Sequence, residues 1–250
     1  MTTFKNPSNL RFGYSEEEMA NAFQSLLQSG NGLPEVGRFD AVYREISCRQ
    51  GRPDFIAVRY LLRAEPNRRL LVPGLVGPSI LNLLKPKAPH TLDYLIAHLE
   101  FVRDSIRKSL RQLIDSGHVE RTESGAYRLG KSSRGQKPEM WSFELKLNNP
   151  KKAVFQAQQS RSYAERAIIV VPPGQEGNYE RFREAMQRWH IGLATFEPVT
   201  GSFRFVRKGR RAKALSQTHQ IYALSQIECA SRSEVHDAAT VSRFSARSRA

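Results

Sequence analysis

Residues 140–172 read MWSFELKLNNPKKAVFQAQQSRSYAERAIIVVP, and the pattern predicts a strand, a helix and a second strand. Trp141, Phe143, Leu145 and Leu147 make the first run one that wants burial. Glu144 and Lys146 interrupt it. Strand side chains alternate faces, so positions two apart project to the same side. A carboxylate and an ammonium are therefore aimed together from a segment that is otherwise apolar. Buried charges are costly unless they pair or bind a metal, which makes the Glu-x-Lys triplet a candidate site. After the NNPKK turn, 153–163 reads as a helix with Gln156, Gln159 and Tyr163 on one face. The continuous apolar run 167–171 reads as a buried strand.

Upstream, 14–28 has the form of an amphipathic helix. Ser15 is its expected N-cap, three glutamates follow at the positive end of the dipole, and Met19, Ala22, Phe23, Leu26 and Leu27 form the apolar stripe. Two β-rich runs, 39–47 and 54–60, flank the turn CRQGRP and predict a hairpin with Asp54 at the entrance of its second strand. The proline-rich stretch 61–89 reads as connecting structure. Downstream of the quoted stretch, Tyr179, Phe182, Met186 and Trp189 predict another helix, and 192–196 and 202–206 further strands. From Arg207 the composition turns basic and then Ser-, Ala- and Gln-rich, the pattern of a mobile tail with helix expected around 212–227.

Between these parts, 91–99 and 102–116 predict two helices. The second has Val102, Ile106, Leu110 and Leu113 inward and Gly117 as its stop. A small hairpin turning at 123–125 follows. The phrase SIRKSLRQLIDSGHVERTESGAYRL resembles the winged helix, a helix-turn-helix variant with a β wing, over about 40 residues. That resemblance implies that the second helix enters the DNA major groove, with Arg103, Ser105, Arg107, Lys108 and Arg111 as its DNA-binding side chains. The other reading of the same helix is an ordinary solvated basic face.

Asp54 follows Pro53, and Glu144 comes 90 positions later in FELKLNN. Pro-Asp followed by Glu-x-Lys resembles the PD-(D/E)xK, or restriction-endonuclease-like, nuclease superfamily. The order of the other parts agrees: a glutamate-bearing helix, a hairpin with Asp, the Glu-x-Lys strand, a Gln159-x-x-x-Tyr163 helix and a buried strand. The resemblance covers roughly 14–60 and 141–206. It implies an α/β fold with a mixed sheet flanked by helices. It further implies Asp54, Glu144 and the Leu145 carbonyl as ligands of Mg²⁺, with Mn²⁺ as a substitute, and Asp54, Glu144, Lys146 and Gln159 as catalytic residues. Tyr163 would line the site beside Gln159. Glu16, Glu18 or Glu45 could add a further carboxylate, and the residues do not choose among them. A metal held by oxygen ligands lowers the pKa of its water and offsets charge on the phosphate, which suits phosphodiester hydrolysis. The separation of 90 is longer than the superfamily's usual few tens, and a winged helix inserted in a loop accounts for about half of the excess.

The expected organisation is a nuclease domain over 1–62 and 131–206, a connecting segment over 63–89, a winged-helix insert over 90–130 and a tail over 207–250. Composition agrees with that assignment. The 250-residue chain carries a formal net charge of +15 and a pI near 10.2, which calls for a polyanionic partner, duplex DNA first and membrane last. No apolar run reaches the roughly 18 residues of a membrane span, and no signal-peptide core precedes the first helix, so the expected location is cytoplasmic. Two cysteines, Cys48 and Cys229, and six scattered histidines form no zinc-ligand spacing. The expected activity is thus that of a metal-dependent deoxyribonuclease, endonuclease before exonuclease. The alternative is a non-catalytic DNA-binding regulator on the same scaffold, and charge alone does not separate DNA from RNA. Cutting both strands with one site per chain often calls for a homodimer, although no dimer surface is legible.

Overall fold

The computed structural model describes residues 12–29, 31–60, 74–133 and 138–231. The first part of the expected connecting segment and the end of the expected tail therefore lie outside the described residues. The chain divides into two compact units, one of 1–61 and 137–215, the other of 62–136 and 216–250.

The first unit is a mixed six-stranded sheet flanked by helices. Its strands are β1 (Ala41–Arg44), β2 (Phe55–Arg59), β5 (Glu139–Leu145), β6 (Arg166–Val171), β7 (Ile191–Glu197) and β8 (Ser202–Arg207), hydrogen-bonded in that order. The β1–β2, β2–β5 and β7–β8 pairs are antiparallel, and β5–β6 and β6–β7 are parallel. The parallel pairs need crossovers, which are α5 (Pro150–Ser160) and, between β6 and β7, a 3-10 turn (Glu176–Phe182) running into α6 (Arg183–Arg188). β5 sits between β2 and β6 with all seven residues buried. This is the continuous burial of a central strand, in place of a half-exposed alternation.

Helix α1 (Glu16–Gln28) covers one face of the sheet. Met19, Ala20, Phe23 and Leu27 pack on Phe55, Ala57, Trp141, Phe143 and Leu145. The Phe23 ring lies 5.2 to 5.8 Å from those of Phe55, Phe143 and Phe196, all edge-on, the geometry aromatic quadrupoles prefer. Ser15 caps the helix through a capping box with Glu18: the Glu18 amide donates to Ser15 Oγ at 3.1 Å, and the Ser15 amide to Glu18 Oε2 at 2.6 Å. On the opposite face Ala153, Val154 and Ala157 of α5 pack on Ala167, Ile169, Val171, Ile191 and Leu193. Asn149, at φ +57°, starts α5 by accepting from the Lys152 amide, and Pro150 takes the first turn, where its missing N–H is not needed.

In the second unit, α2 (Val76–Leu83), α3 (Leu92–His98) and α4 (Arg103–Asp115) enclose Ile80, Leu81, Leu84, Leu95, Leu99, Ile106, Leu110 and Leu113. A hairpin of β3 (Val119–Arg121) and β4 (Tyr127–Leu129) follows. His90 adds a bridge to it: its amide donates to the Tyr127 carbonyl at 2.9 Å, and the Tyr127 amide returns the bond at 2.8 Å. Gly117, at φ +74°, ends α4 in a Schellman turn. Its amide reaches Ile114 O and the His118 amide reaches Leu113 O, a backbone path that a side chain would strain.

Some sequence expectations differ from these elements. Val102, expected inward, is 73% exposed because it is the N-cap of α4, outside the helical stripe. Helix α2 lies in the stretch read only as connecting structure. The expected helix over Tyr179–Trp189 begins as the 3-10 turn. In the expected tail, Arg161 pins 212–213 to the first unit, and residues 217–231 are helical. Ile221, Ala223 and Ile227 of that helix are buried, and Ile221 joins the core of the second unit. No helix among the described residues is long and apolar enough to cross a membrane.

Candidate active site

The register of β2 against β5 decides where Asp54 lies. Phe55 faces Phe143, so Asp54, one residue before β2, stands beside the end of β5. The Leu145 amide donates to Asp54 Oδ2 at 2.6 Å. Lys146 continues the ladder past the end of β5, its amide donating to the Val170 carbonyl at 3.0 Å. Its ammonium turns back: Nζ lies 2.9 Å from Glu144 Oε1, 3.1 Å from Glu16 Oε1 and 3.5 Å from Asp54 Oδ2, and donates to the Leu145 carbonyl at 2.7 Å. Residues from α1, the β2 entrance and the β5 end thus converge on one nitrogen. Glu144 and Lys146 are buried, whereas Asp54 and Glu16 are partly open to solvent.

Three carboxylates and one ammonium leave the cluster short of positive charge. Burial first, and the neighbouring Asp54 second, raise the Glu144 carboxyl to about 7, with Lys146 opposing. Asp54 is also raised, by burial, against the pull of Lys146 and the Leu145 amide. Burial alone would lower Lys146, but Asp54, Glu144 and Glu16 together carry it above its ordinary value. Lys146 is therefore firmly protonated at neutral pH. Although Oε1 of Glu144 is ion-paired, neither of its carboxylate oxygens receives a well-directed hydrogen bond.

Among the three glutamates the sequence left open, only Glu16 reaches the cluster. Glu18 is turned back to cap its own helix. Glu45 accepts from Arg52 at 2.5 Å across the β1–β2 turn.

Gln159 and Tyr163 lie behind the site. A Cβ on Gly51 would stand 3.6 Å from Gln159 Cβ and Oε1, so Gln159 packs on the turn that leads to Asp54. Among the described residues no hydrogen bond joins it to the charged cluster. Tyr163 is wholly buried; its hydroxyl lies 3.0 Å from Ser160 Oγ and in hydrogen-bond contact with the Cys48 thiol, which burial raises to about 12. These two side chains, from the end of α5 and the turn that follows it, brace the 48–53 turn. Tyr179, read from sequence only as a core residue, is buried next to the site, where its hydroxyl feels the charges of Lys146, Glu144 and Glu16. Its place in a regular apolar period hid that proximity.

The donor set is oxygen only, which suits a hard divalent cation rather than zinc. Asp54, Glu144, Glu16 and the Leu145 carbonyl are the groups that could hold one, and Glu144 Oε2 has no protein donor to give up. Among the described residues no three His, Cys, Asp or Glu side chains are already gathered at metal-binding separation.

In the second unit Arg103, Ser105, Arg107, Lys108 and Arg111 are all exposed, opposite the buried Ile106, Leu110 and Leu113. Arg103 pairs with Asp93 at 3.1 Å and Arg107 with Asp104 at 3.8 Å, whereas Arg111 and Lys108 have no ion pair among the described residues. No family model, curated protein or solved structure matches the chain.

Proposed function

We propose that the chain is a Mg²⁺-dependent deoxyribonuclease of the PD-(D/E)xK kind, an endonuclease that a winged helix carries onto duplex DNA. One observation carries this reading: the carboxylates of Asp54 and Glu144, 90 positions apart, both lie within 3.5 Å of the Lys146 ammonium at one end of a mixed sheet. A structural ion pair does not need a second carboxylate and a third, Glu16, on the same lysine. Support for the DNA module comes from the order helix, bridge, two helices, hairpin, and from the basic outer face of α4.

Asp54, Glu144, the Leu145 carbonyl and Glu16 would hold the ion. When bound, it supplies positive charge against the phosphate oxygens and makes an attacking water more acidic. The chain's own residues do the rest. Lys146, held protonated by its three carboxylates, acts as a fixed cation toward the charge that builds on the phosphate, a larger contribution than a mobile surface lysine could make. The Leu145 amide fixes the Asp54 carboxylate in place, and the Gln159–Tyr163 brace fixes the turn that carries it.

The test is an Mg²⁺-dependent cleavage assay on plasmid, branched and single-stranded DNA, with Lys146→Ala beside wild type. Strand breaks that need both Mg²⁺ and Lys146 are expected. Equal cutting by Lys146→Ala or Asp54→Ala protein would overturn the site assignment. A second reading, a non-catalytic DNA-binding regulator, is favoured by the fact that Lys146 already neutralises part of the cluster without a ligand. It requires salt-sensitive DNA binding with no breaks at any Mg²⁺ concentration.

A further inference from the structure

The 3-10 turn after β6 packs against α5, and together they line a concavity of about 400 Å³ formed by Pro150, Gly177, Asn178 and Arg181. Pro150 comes four positions after Lys146, so the concavity opens one short loop away from the carboxylate cluster. Tyr179 belongs to the same turn and is buried on the cluster's side. The turn therefore serves two neighbouring spaces.

The charges around the concavity are unequal. Glu176 is engaged by Arg204 at 3.7 Å, and Glu180 lies between Arg183 at 2.8 Å and Arg207 at 3.8 Å. Arg181 has no carboxylate partner among the described residues; its guanidinium carbon stands 4.8 Å from the Phe182 ring centre. Lys151 and Lys152, exposed on the first turn of α5, likewise have no ion pair among the described residues. Asn178 donates one amide hydrogen to Gln175 at 2.7 Å and keeps a second. At Gly177 a side chain would meet nothing within 4 Å, so the wall there is bare backbone. A wall of exposed donors and an unpaired guanidinium selects an anion. The volume falls within the range of small-ligand sites and is larger than a single free ion needs.

We propose that this concavity is a subsite for a backbone phosphate of the nucleic-acid strand, adjacent to the phosphate held at the cluster. Arg181 is its cation, and Asn178 its neutral donor. The identity of the strand rests on the nuclease reading, but the subsite is tested apart from cleavage. A guanidinium presents two parallel N–H groups to a phosphate, which an ammonium does not.

The test uses full-length protein in EDTA and a fluorescein-labelled six-nucleotide oligothymidine, with binding followed by anisotropy across a salt series. Wild type, Arg181→Ala, Arg181→Lys and, as a basic control paired with Glu35, Lys208→Ala are compared after thermal melting establishes that each is folded. Arg181→Ala is expected to weaken binding about tenfold and to reduce the log–log salt slope by about 0.7, the release expected for one single-strand phosphate contact. Arg181→Lys should keep the slope and lose part of the affinity, and Lys208→Ala should match wild type. Unchanged affinity and slope in Arg181→Ala would overturn the subsite. So would a Lys208→Ala loss as large as that of Arg181→Ala, because it would mean diffuse attraction to a basic surface. Cleavage is scored in parallel with Mg²⁺. Arg181-dependent binding without strand breaks in wild type would sink the nuclease reading and leave the subsite standing. Cleavage with Arg181-independent binding would do the reverse.

Discussion

The amide of Leu145 donates to Oδ2 of Asp54 at 2.6 Å, joining the end of β5 to the entrance of β2 across 91 positions of sequence. This bond ties the Asp54 carboxylate to the end of β5, while on the other side the Asp54 carbonyl accepts from the Glu45 amide at 3.1 Å and continues the β1–β2 ladder. The side-chain bond therefore sets the separation of the two halves of the site. Asp54→Asn keeps an oxygen for the amide and removes the charge, whereas Asp54→Ala removes both. Both variants are expected to lose Mg²⁺-dependent cleavage by 100-fold or more, on the order of 3 kcal/mol of barrier. Urea unfolding should separate them: Ala costs about 1–2 kcal/mol more than Asn, the penalty of an unsatisfied part-buried amide. Equal stabilities would mean that the bond does not hold the turn.

The metal-free cluster makes stability depend on pH in a definite direction. Glu144 titrates near 4.5 when unfolded and near 7 in the fold, so between those values the folded chain binds more protons than the unfolded one. Stability is then highest at the acidic end of that window and falls as pH rises through it, by up to about 1.4 kcal/mol per pH unit for one proton. Asp54, raised by the same burial, acts in the same direction. Differential scanning calorimetry in EDTA should show the melting temperature falling from pH 4.5 to 7, with Glu144→Gln flattening the trend. Because the ion competes with protons for these oxygens, added Mg²⁺ should raise the melting temperature more at pH 8 than at pH 5. A melting temperature that rises with pH in EDTA and is unaffected by Glu144→Gln would contradict the raised carboxyl.

Much of this site was legible because its chemistry is written in short contexts. An acidic and a basic residue two apart in the apolar run 141–147 announce a charged pair on one strand face, and Pro53–Asp54 sits at a strand entrance. The choice of Glu16 was partly legible as well. Ser15 and Glu18 have the spacing of a capping box, which already assigns Glu18 to its own helix. Glu45 was not resolvable, since its partner Arg52 depends on how the 45–54 turn closes. Helix α2 escaped notice because Pro78 reads as a breaker, although at the third helical position its missing N–H costs nothing. The helix over 217–231 was obscured by composition: Gln220 and Ser225 are as buried as Ile221 and Ile227, so no clean apolar period marks its inner face.

Arg161 provides a stability test away from the site. It is 1% exposed, and its guanidinium donates to the carbonyls of Trp189, Ala164, Ala212 and Lys213, with no carboxylate among those partners. Burial lowers its pKa, yet the fan of donors matches four backbone acceptors. Arg161→Met should destabilise the first unit by about 3 kcal/mol or more, and Arg161→Lys should recover little, since one ammonium cannot reach all four oxygens. Chemical denaturation measures both. A loss under about 1 kcal/mol in Arg161→Met would show that the carbonyls find other donors.

The outer face of α4 should not act uniformly on duplex DNA. Arg103 is held by Asp93 at 3.1 Å and Arg107 more loosely by Asp104 at 3.8 Å, whereas Arg111 has no ion pair among the described residues. A phosphate or base edge must displace the carboxylate from the first two before binding them, while Arg111 meets no such competitor. In filter-binding titrations on a long duplex, Arg111→Ala should therefore weaken binding more than Arg103→Ala. If Arg111 contacts a phosphate, its loss should reduce the salt slope by about 0.9. Asp93→Asn should tighten binding by releasing Arg103, and by removing a like charge from the DNA's approach. Lys146→Ala, in the other unit, should bind duplex DNA close to wild type in EDTA. Equal binding by wild type and Arg111→Ala across the whole salt range would leave α4 an ordinary solvated basic helix.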